Sequence, residues 1–265
     1  MTGVTDINAV NQLTFKGTTY NANQATYTAA AGDNLLVNGA TTTYTATDDA
    51  IAFNTANLQL ANGSDLVVTS GGGAITALGI RGTSSEDVTL TSIGGAVNTV
   101  SVGVIGSGNE INTVALSGST SVTLNGNITT SNAAGNNVTV TGPVVLGADL
   151  TIDTDTAGTD GNISFTSTVD GAQALSLNAG TGTVAIGGTA TLSSLTISDA
   201  SQVDLGNVVT TGLQSITGTN IDLNGTAYTS STGASISFNG TLDLGAPATS
   251  VTTDGNINFT GTVDG

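Results

Sequence analysis

The chain has 265 residues and a formal net charge of -17, from nineteen acidic side chains set against Lys16 and Arg81, with no histidine and no cysteine. No basic residue follows Arg81, so nothing there can neutralise phosphates or anionic headgroups, and nucleic acid and charged membrane surfaces are excluded as partners. Without cysteine there is neither a disulfide framework nor a thiolate metal site, and no run of about 18 apolar residues is present to span a membrane.

Thirty-seven glycines, two prolines and fifty threonines suit short strands punctuated by turns, and no window keeps a helical apolar spacing. The first residues lack the basic and apolar regions of a signal peptide. Residues 1–55 hold three of the four tyrosines, Tyr20, Tyr27 and Tyr44, and two degenerate strand-and-turn segments, LTFKGTT from Leu13 and LLVNGAT from Leu35. They are expected to form degenerate first coils or an N-terminal cap, covering strand edges that would otherwise be unpaired. Residues 56–112 carry strand signals at LQLANG, DLVVTS, AITALGI, DVTLTSI and NTVSVGVI, read as three coils with the glycines at 71–73 at a corner.

The C-terminal half is organised by a seven-residue pattern: apolar, polar, apolar, any, Gly, any, apolar. It starts at Val122, Val138, Ile163, Val184, Val203, Ile221, Ile236 and Ile257, with gaps of 16, 25, 21, 19, 18, 15 and 21 residues. Alternation along a strand sends positions 1 and 3 to one face and position 2 to the other. Glycine at position 5 lets the chain turn a corner, with Ser167 and Asn207 as exceptions. One such rung cannot bury its own apolar face, whereas stacked rungs make a continuous core. The mean gap of about 19 residues lies in the solenoid range and predicts an all-β, parallel, right-handed β-solenoid of about 13 coils.

A longer repeat lies over the short one. TDGNISFTSTVDG from Thr159 and TDGNINFTGTVDG from Thr253 agree at eleven of thirteen positions, 94 residues apart. Upstream segments match at offsets of 98 and 99, as VTVTGPVVLGA from Val138 matches ISFNGTLDLGA from Ile236. The difference implies a four-residue insertion at 156–159, and division by the short pitch gives five-coil units, clearest over 113–265. Residues 56–265 are thus read as one solenoid. The final TVDG repeats the end of the earlier copy, which leads to the expectation that the chain is a segment of a longer protein.

The phrases TVDGAQALSLNAGTGTVAIGG from Thr168 and TTGLQSITGTNIDLNG from Thr210 resemble the repeats of very large bacterial surface and secreted proteins of the filamentous haemagglutinin type, over about residues 113–265. The secretion-domain signature of that family is absent. The resemblance implies a shaft that carries other functional modules.

Little catalytic chemistry is on offer. There is no histidine or cysteine to activate a serine. Sugar clefts need aromatic platforms, and Phe165, Phe238 and Phe259 sit at core-facing position 3. The calcium candidate is DTDTAGTDG, where Asp153, Asp155 and Asp160 lie on one short loop, against the alternative of a solvated acidic corner. Asp204 and Asp222 at position 2, and Asp243 and Asp264 after position 7, are expected to stack as outward carboxylate pairs. Position 2 of the eight copies gives no uninterrupted threonine column of the kind an ice-binding face would need. The expected role is a non-enzymatic structural segment of a bacterial extracellular shaft, adhesin stalk or filament, located at the cell surface or outside it. Its expected contacts are end-to-end self-association and a host or matrix surface. A calcium-dependent surface-layer or matrix protein is one alternative, and a polysaccharide-binding or polysaccharide-cleaving β-helix is another.

Overall fold

The computed structural model describes residues 4–30, 32–131, 135–155 and 160–265. Among these residues the chain forms 32 strands and no helix. The strands stack in parallel as three walls of a triangular solenoid, each pairing with its counterpart one coil away. The first wall runs from Val4–Ala9 through Gln24–Ala29 and Ile51–Phe53 to Ser250–Thr253. The second runs from Leu13–Phe15 through Leu35–Val37 to Ile257–Phe259, and the third from Thr19–Asn21 through Thr41–Ala46 to Val263–Asp264. Four longer strands, Ile75–Arg81, Thr99–Ile105, Gln214–Leu223 and Ile236–Leu244, turn a corner and serve two walls each.

The pairings on the first wall link Thr5, Ala25, Ile51, Ile75, Val100, Val122, Val144, Val169, Ala190, Val208, Tyr228 and Val251 in register. That is 246 residues over eleven steps, or about 22 residues per coil, and at strand spacing it makes a stack about 53 Å long. The expectation of about 13 coils of roughly 19 residues is corrected accordingly, and the cause is specific. Five seven-residue copies, from Val138, Ile163, Val184, Val203 and Ile221, do stack on the third wall. The copy at Val122 begins on the first wall, and those at Ile236 and Ile257 begin on the second. The two shortest gaps, 16 and 15 residues, are therefore moves of two walls and not full turns.

The same register corrects the long unit. Val138 lies on the third wall and its repeat partner Ile236 on the second, as do Ile163 and Ile257 respectively. Val122 on the first wall is matched by Ile221 on the third. In each case the repeat spans fourteen walls, one short of five coils. The insertion inferred at 156–159 falls outside the described residues.

The core follows the predicted alternation. Ile163, Phe165, Ile221 and Leu223 are fully buried, while Thr123, Asp204 and Asp222 point outward. Ile257 and Phe259, expected inside, are 41% and 45% exposed because they lie on the last rung, with no coil over them. Their counterparts one rung earlier, Ile236 and Phe238, are 0% and 1% exposed. Position-5 glycine is required for two different reasons. Gly142 has φ +103°, a left-handed backbone that a side chain resists. At Gly188 a Cβ would instead lie 2.5 Å from the carbonyl carbon of Ser167 on the coil before.

Residues 4–30 and 32–55 continue the same three walls, with aromatic side chains filling the interior. Phe15 meets Tyr20, Tyr27 and Tyr44 edge-on at 5.0–5.4 Å, and Tyr44 meets Phe53 edge-on at 5.1 Å. Tyr44 is 1% exposed and its hydroxyl has no partner, so burial pushes its pKa far up.

Candidate functional site

The strand Leu150–Asp153 on the second wall delivers the acidic corner. Asp153 pairs in register with Asn178, and its Oδ1 accepts from the Asn178 side chain at 3.2 Å and from the Asp155 N–H at 3.0 Å. Asp155 Oδ2 accepts from the same Asn178 amide at 3.3 Å. Asp160 Oδ2 accepts from the Thr181 N–H and hydroxyl at 2.6 and 2.7 Å. Desolvation and then the neighbouring Asp160 charge raise the Asp155 pKa, while the Thr181 donors lower that of Asp160.

Asp155 and Asp160 border a shallow depression of about 340 Å³ whose lining also includes Gly180, Thr181, Asp199 and Ser201. Asp153 lies outside that lining; its Oδ1 is held by Asp155 N–H and Asn178. The structure therefore places two of the three calcium candidates, Asp155 and Asp160, on one depression. Among the described residues no group of three or more His, Cys, Asp or Glu is placed to hold a metal ion. The rest of the loop, 156–159, lies outside the described residues.

The two expected carboxylate pairs form a single ladder. Asp204 pairs with Asp222, Asp222 with Asp243, and Asp243 with Asp264, on four successive rungs of the third wall's outer face. Copies starting on different walls converge here because Asp243 and Asp264 follow position 7, one corner beyond the strand that opens their copy. At strand spacing these carboxylates are about 5 Å apart, close enough for like-charge repulsion. Asp204 Oδ1 accepts from the Gln202 side chain at 3.0 Å.

A third acidic position was missed in the sequence. Glu86 is 0% exposed at the corner between the second and third walls. Its carboxylate accepts from Thr83 N–H, from the Thr83 hydroxyl at 2.6 Å, from Ser85 N–H at 3.3 Å and from the Ser85 hydroxyl at 2.9 Å. It also reaches one coil back to Gly63 N–H at 2.9 Å. Burial pushes the Glu86 carboxyl up, but these donors outweigh it and hold the group below the ordinary glutamate range. The available signal was Thr83-x-x-Glu86, the spacing of a reciprocally bonded turn. With every donor supplied by the chain, Glu86 fastens one coil to the next.

A scan against protein-family models, a search of curated proteins and a search of solved structures each return no match.

Proposed function

We propose that this chain is a structural rod, a segment of a bacterial extracellular shaft, adhesin stalk or filament, whose ends are its main points of attachment. One observation carries this reading. The last rung presents Ile257, Phe259 and Val263 at 41%, 45% and 48% exposure, whereas Ile236, Phe238 and Leu242 directly beneath them are at most 1% exposed. The terminal rung is thus a ready seat for another coil, with apolar side chains in the core positions and backbone groups unpaired on one side. That coil can come from further repeats or from a second copy, and a head-to-tail contact of this kind propagates without closing.

The net charge of -17 opposes such stacking. Association should therefore rise from low to physiological salt, where the Debye length falls to about 8 Å. Light scattering across a salt series, with and without residues 253–265, tests this. Salt-dependent growth that is lost on truncation supports the reading. A monomeric rod at every salt concentration in both proteins overturns end-to-end attachment.

A further inference from the structure

Asn-Gly occurs five times in the chain, at Asn38, Asn62, Asn125, Asn224 and Asn239. A glycine after asparagine has no side chain to shield its backbone nitrogen from the asparagine carbonyl, which makes the dyad chemically labile. The fold treats the five dyads differently. Gly63 N–H is held by the Glu86 carboxylate at 2.9 Å, and Asn62 Oδ1 accepts from the Ser85 hydroxyl at 3.0 Å. The Asn125 amide donates to Ser101 Oγ and to Val102 O, both at 3.2 Å. Gly225 N–H donates to the buried Tyr228 hydroxyl at 3.0 Å. Asn239 lies inside the strand Ile236–Leu244, and its Oδ1 accepts from the Thr260 hydroxyl at 2.6 Å.

Asn38 has no such restraint. It is exposed, at the corner that joins Leu35–Val37 on the second wall to Thr41–Ala46 on the third. Its own N–H bonds to Phe15 O on the coil before at 2.8 Å. Among the described residues, however, neither its side-chain amide nor Gly39 N–H is hydrogen-bonded within the chain. Attacking nitrogen and attacked carbonyl are therefore both free at this one dyad. The corner itself is close-packed, since a Cβ built on Gly39 would lie 2.9 Å from Thr42 Oγ1 and 3.1 Å from Gly17 O.

We propose that Asn38 is a modification site, where the chain deamidates through a succinimide and forms isoaspartate, and that this change loosens the first coil. The Gly39 nitrogen attacks the side-chain carbonyl carbon of Asn38. The new N–C bond closes the ring, the C–NH2 bond breaks, and the NH2 leaves as ammonia with the proton from Gly39. Water then opens the ring. Cleavage at the side-chain carbonyl gives aspartate; cleavage at the backbone carbonyl gives isoaspartate, in which the main chain runs through the former side chain and is longer by one carbon. That carbon enters between two strands whose registers are both fixed against the first coil, Leu35–Val37 on Leu13–Phe15 and Thr41–Ala46 on Thr19–Asn21. Each coil is held only by its neighbours, so the mismatch weakens the hold of residues 13–21 on the rest of the rod. Either product also adds a carboxylate to a chain already at a net charge of -17.

The test follows the full chain during storage in mildly alkaline buffer, by peptide mass mapping for deamidation and by methylation with a protein isoaspartyl methyltransferase for isoaspartate. In denaturant the five dyads should react at similar rates, because glycine follows the asparagine in each. In the folded chain Asn38 should keep that rate, while Asn62, whose glycine must first leave a carboxylate, slows at least about tenfold. Tyr228→Phe removes the hydroxyl that holds Gly225 N–H and should speed the reaction at Asn224 several-fold, with Asn38 unchanged. Hydrogen exchange over residues 13–21 should rise as Asn38 converts and stay constant in Asn38→Gln, whose amide would have to close a larger ring. Melting curves establish that both variants are folded. Equal rates at Asn38 and Asn62 in the folded chain, an unchanged rate at Asn224 in Tyr228→Phe, or unaltered exchange in the converted chain overturns the proposal.

Discussion

Glu86→Gln isolates the contribution of one buried carboxylate to joining two coils. In the wild type Oε2 accepts from the N–H groups of Thr83 and Ser85, and Oε1 from Gly63 N–H and both hydroxyls. Whichever oxygen the amide NH2 replaces, at least one backbone N–H then faces another donor. The two hydroxyls can turn to accept, and Gly63 and Ser85 are exposed enough for water to replace some of the loss. The remaining cost is one charge-assisted hydrogen bond and one poorly satisfied donor, about 1.5–3 kcal/mol.

The pH dependence has a definite sign. The folded-state pKa of Glu86 is lowered, so its stabilisation is fully present above the ordinary glutamate value and is lost as pH falls through the folded value. The other eighteen acids titrate as well, so the informative quantity is wild type minus variant. Denaturant melts of both proteins should show a difference that is largest near neutral pH and shrinks on acidification. Hydrogen exchange around residues 63–87 should show where the variant opens, since each coil touches only its neighbours. A variant within about 0.5 kcal/mol of wild type at neutral pH, or a difference that does not change with pH, would refute this account of the corner.

Phe238 is buried between Ile216 and Phe259 and stacks on the latter at 5.6 Å, so Phe238→Ala should cost about 3–5 kcal/mol in denaturant melts. Asp222 has an aspartate on the rung above and another below, so Asp222→Asn should stabilise the rod by about 0.2–1 kcal/mol, and the gain should fade as salt is raised. A chelator should leave the melting temperature unchanged or nearly so, because Asp153 and Asp160 already accept hydrogen bonds from Asn178 and Thr181; a large drop would show that the acidic corner binds calcium.

Alternation made the architecture legible. Val-Thr-Val from Val138 and Ile-Ser-Phe from Ile163 state which side chains face in, and the structure agrees at both. Wall assignment was not legible, because the seven-residue pattern describes a corner and all three corners are chemically alike. Only spatial register separates a gap of 15 residues that crosses two walls from one of 18 that completes a turn. That ambiguity shortened the inferred coil. The aspartate ladder was half visible: each pair could be read locally, but joining them required knowing that Asp222 and Asp243 share a wall. Glu86 was overlooked because an acid between Ser85 and Asp87 reads as a solvated turn until the fold closes over it.

The fourteen-wall repeat carries a geometric consequence for any longer array built from it. Fourteen is not a multiple of three, so each successive unit arrives rotated by a third of a turn, and its features move to the adjacent side of the prism. The TVDG segments show one such step, with Asp170 on the first wall and Asp264 on the third. Three units would bring a feature back to its starting side after fourteen coils, about 67 Å along the axis. A shaft made this way is a screw. Any surface chemistry written once in the repeat winds around the rod as a spiral stripe, and a partner approaching from any direction meets it within one such period.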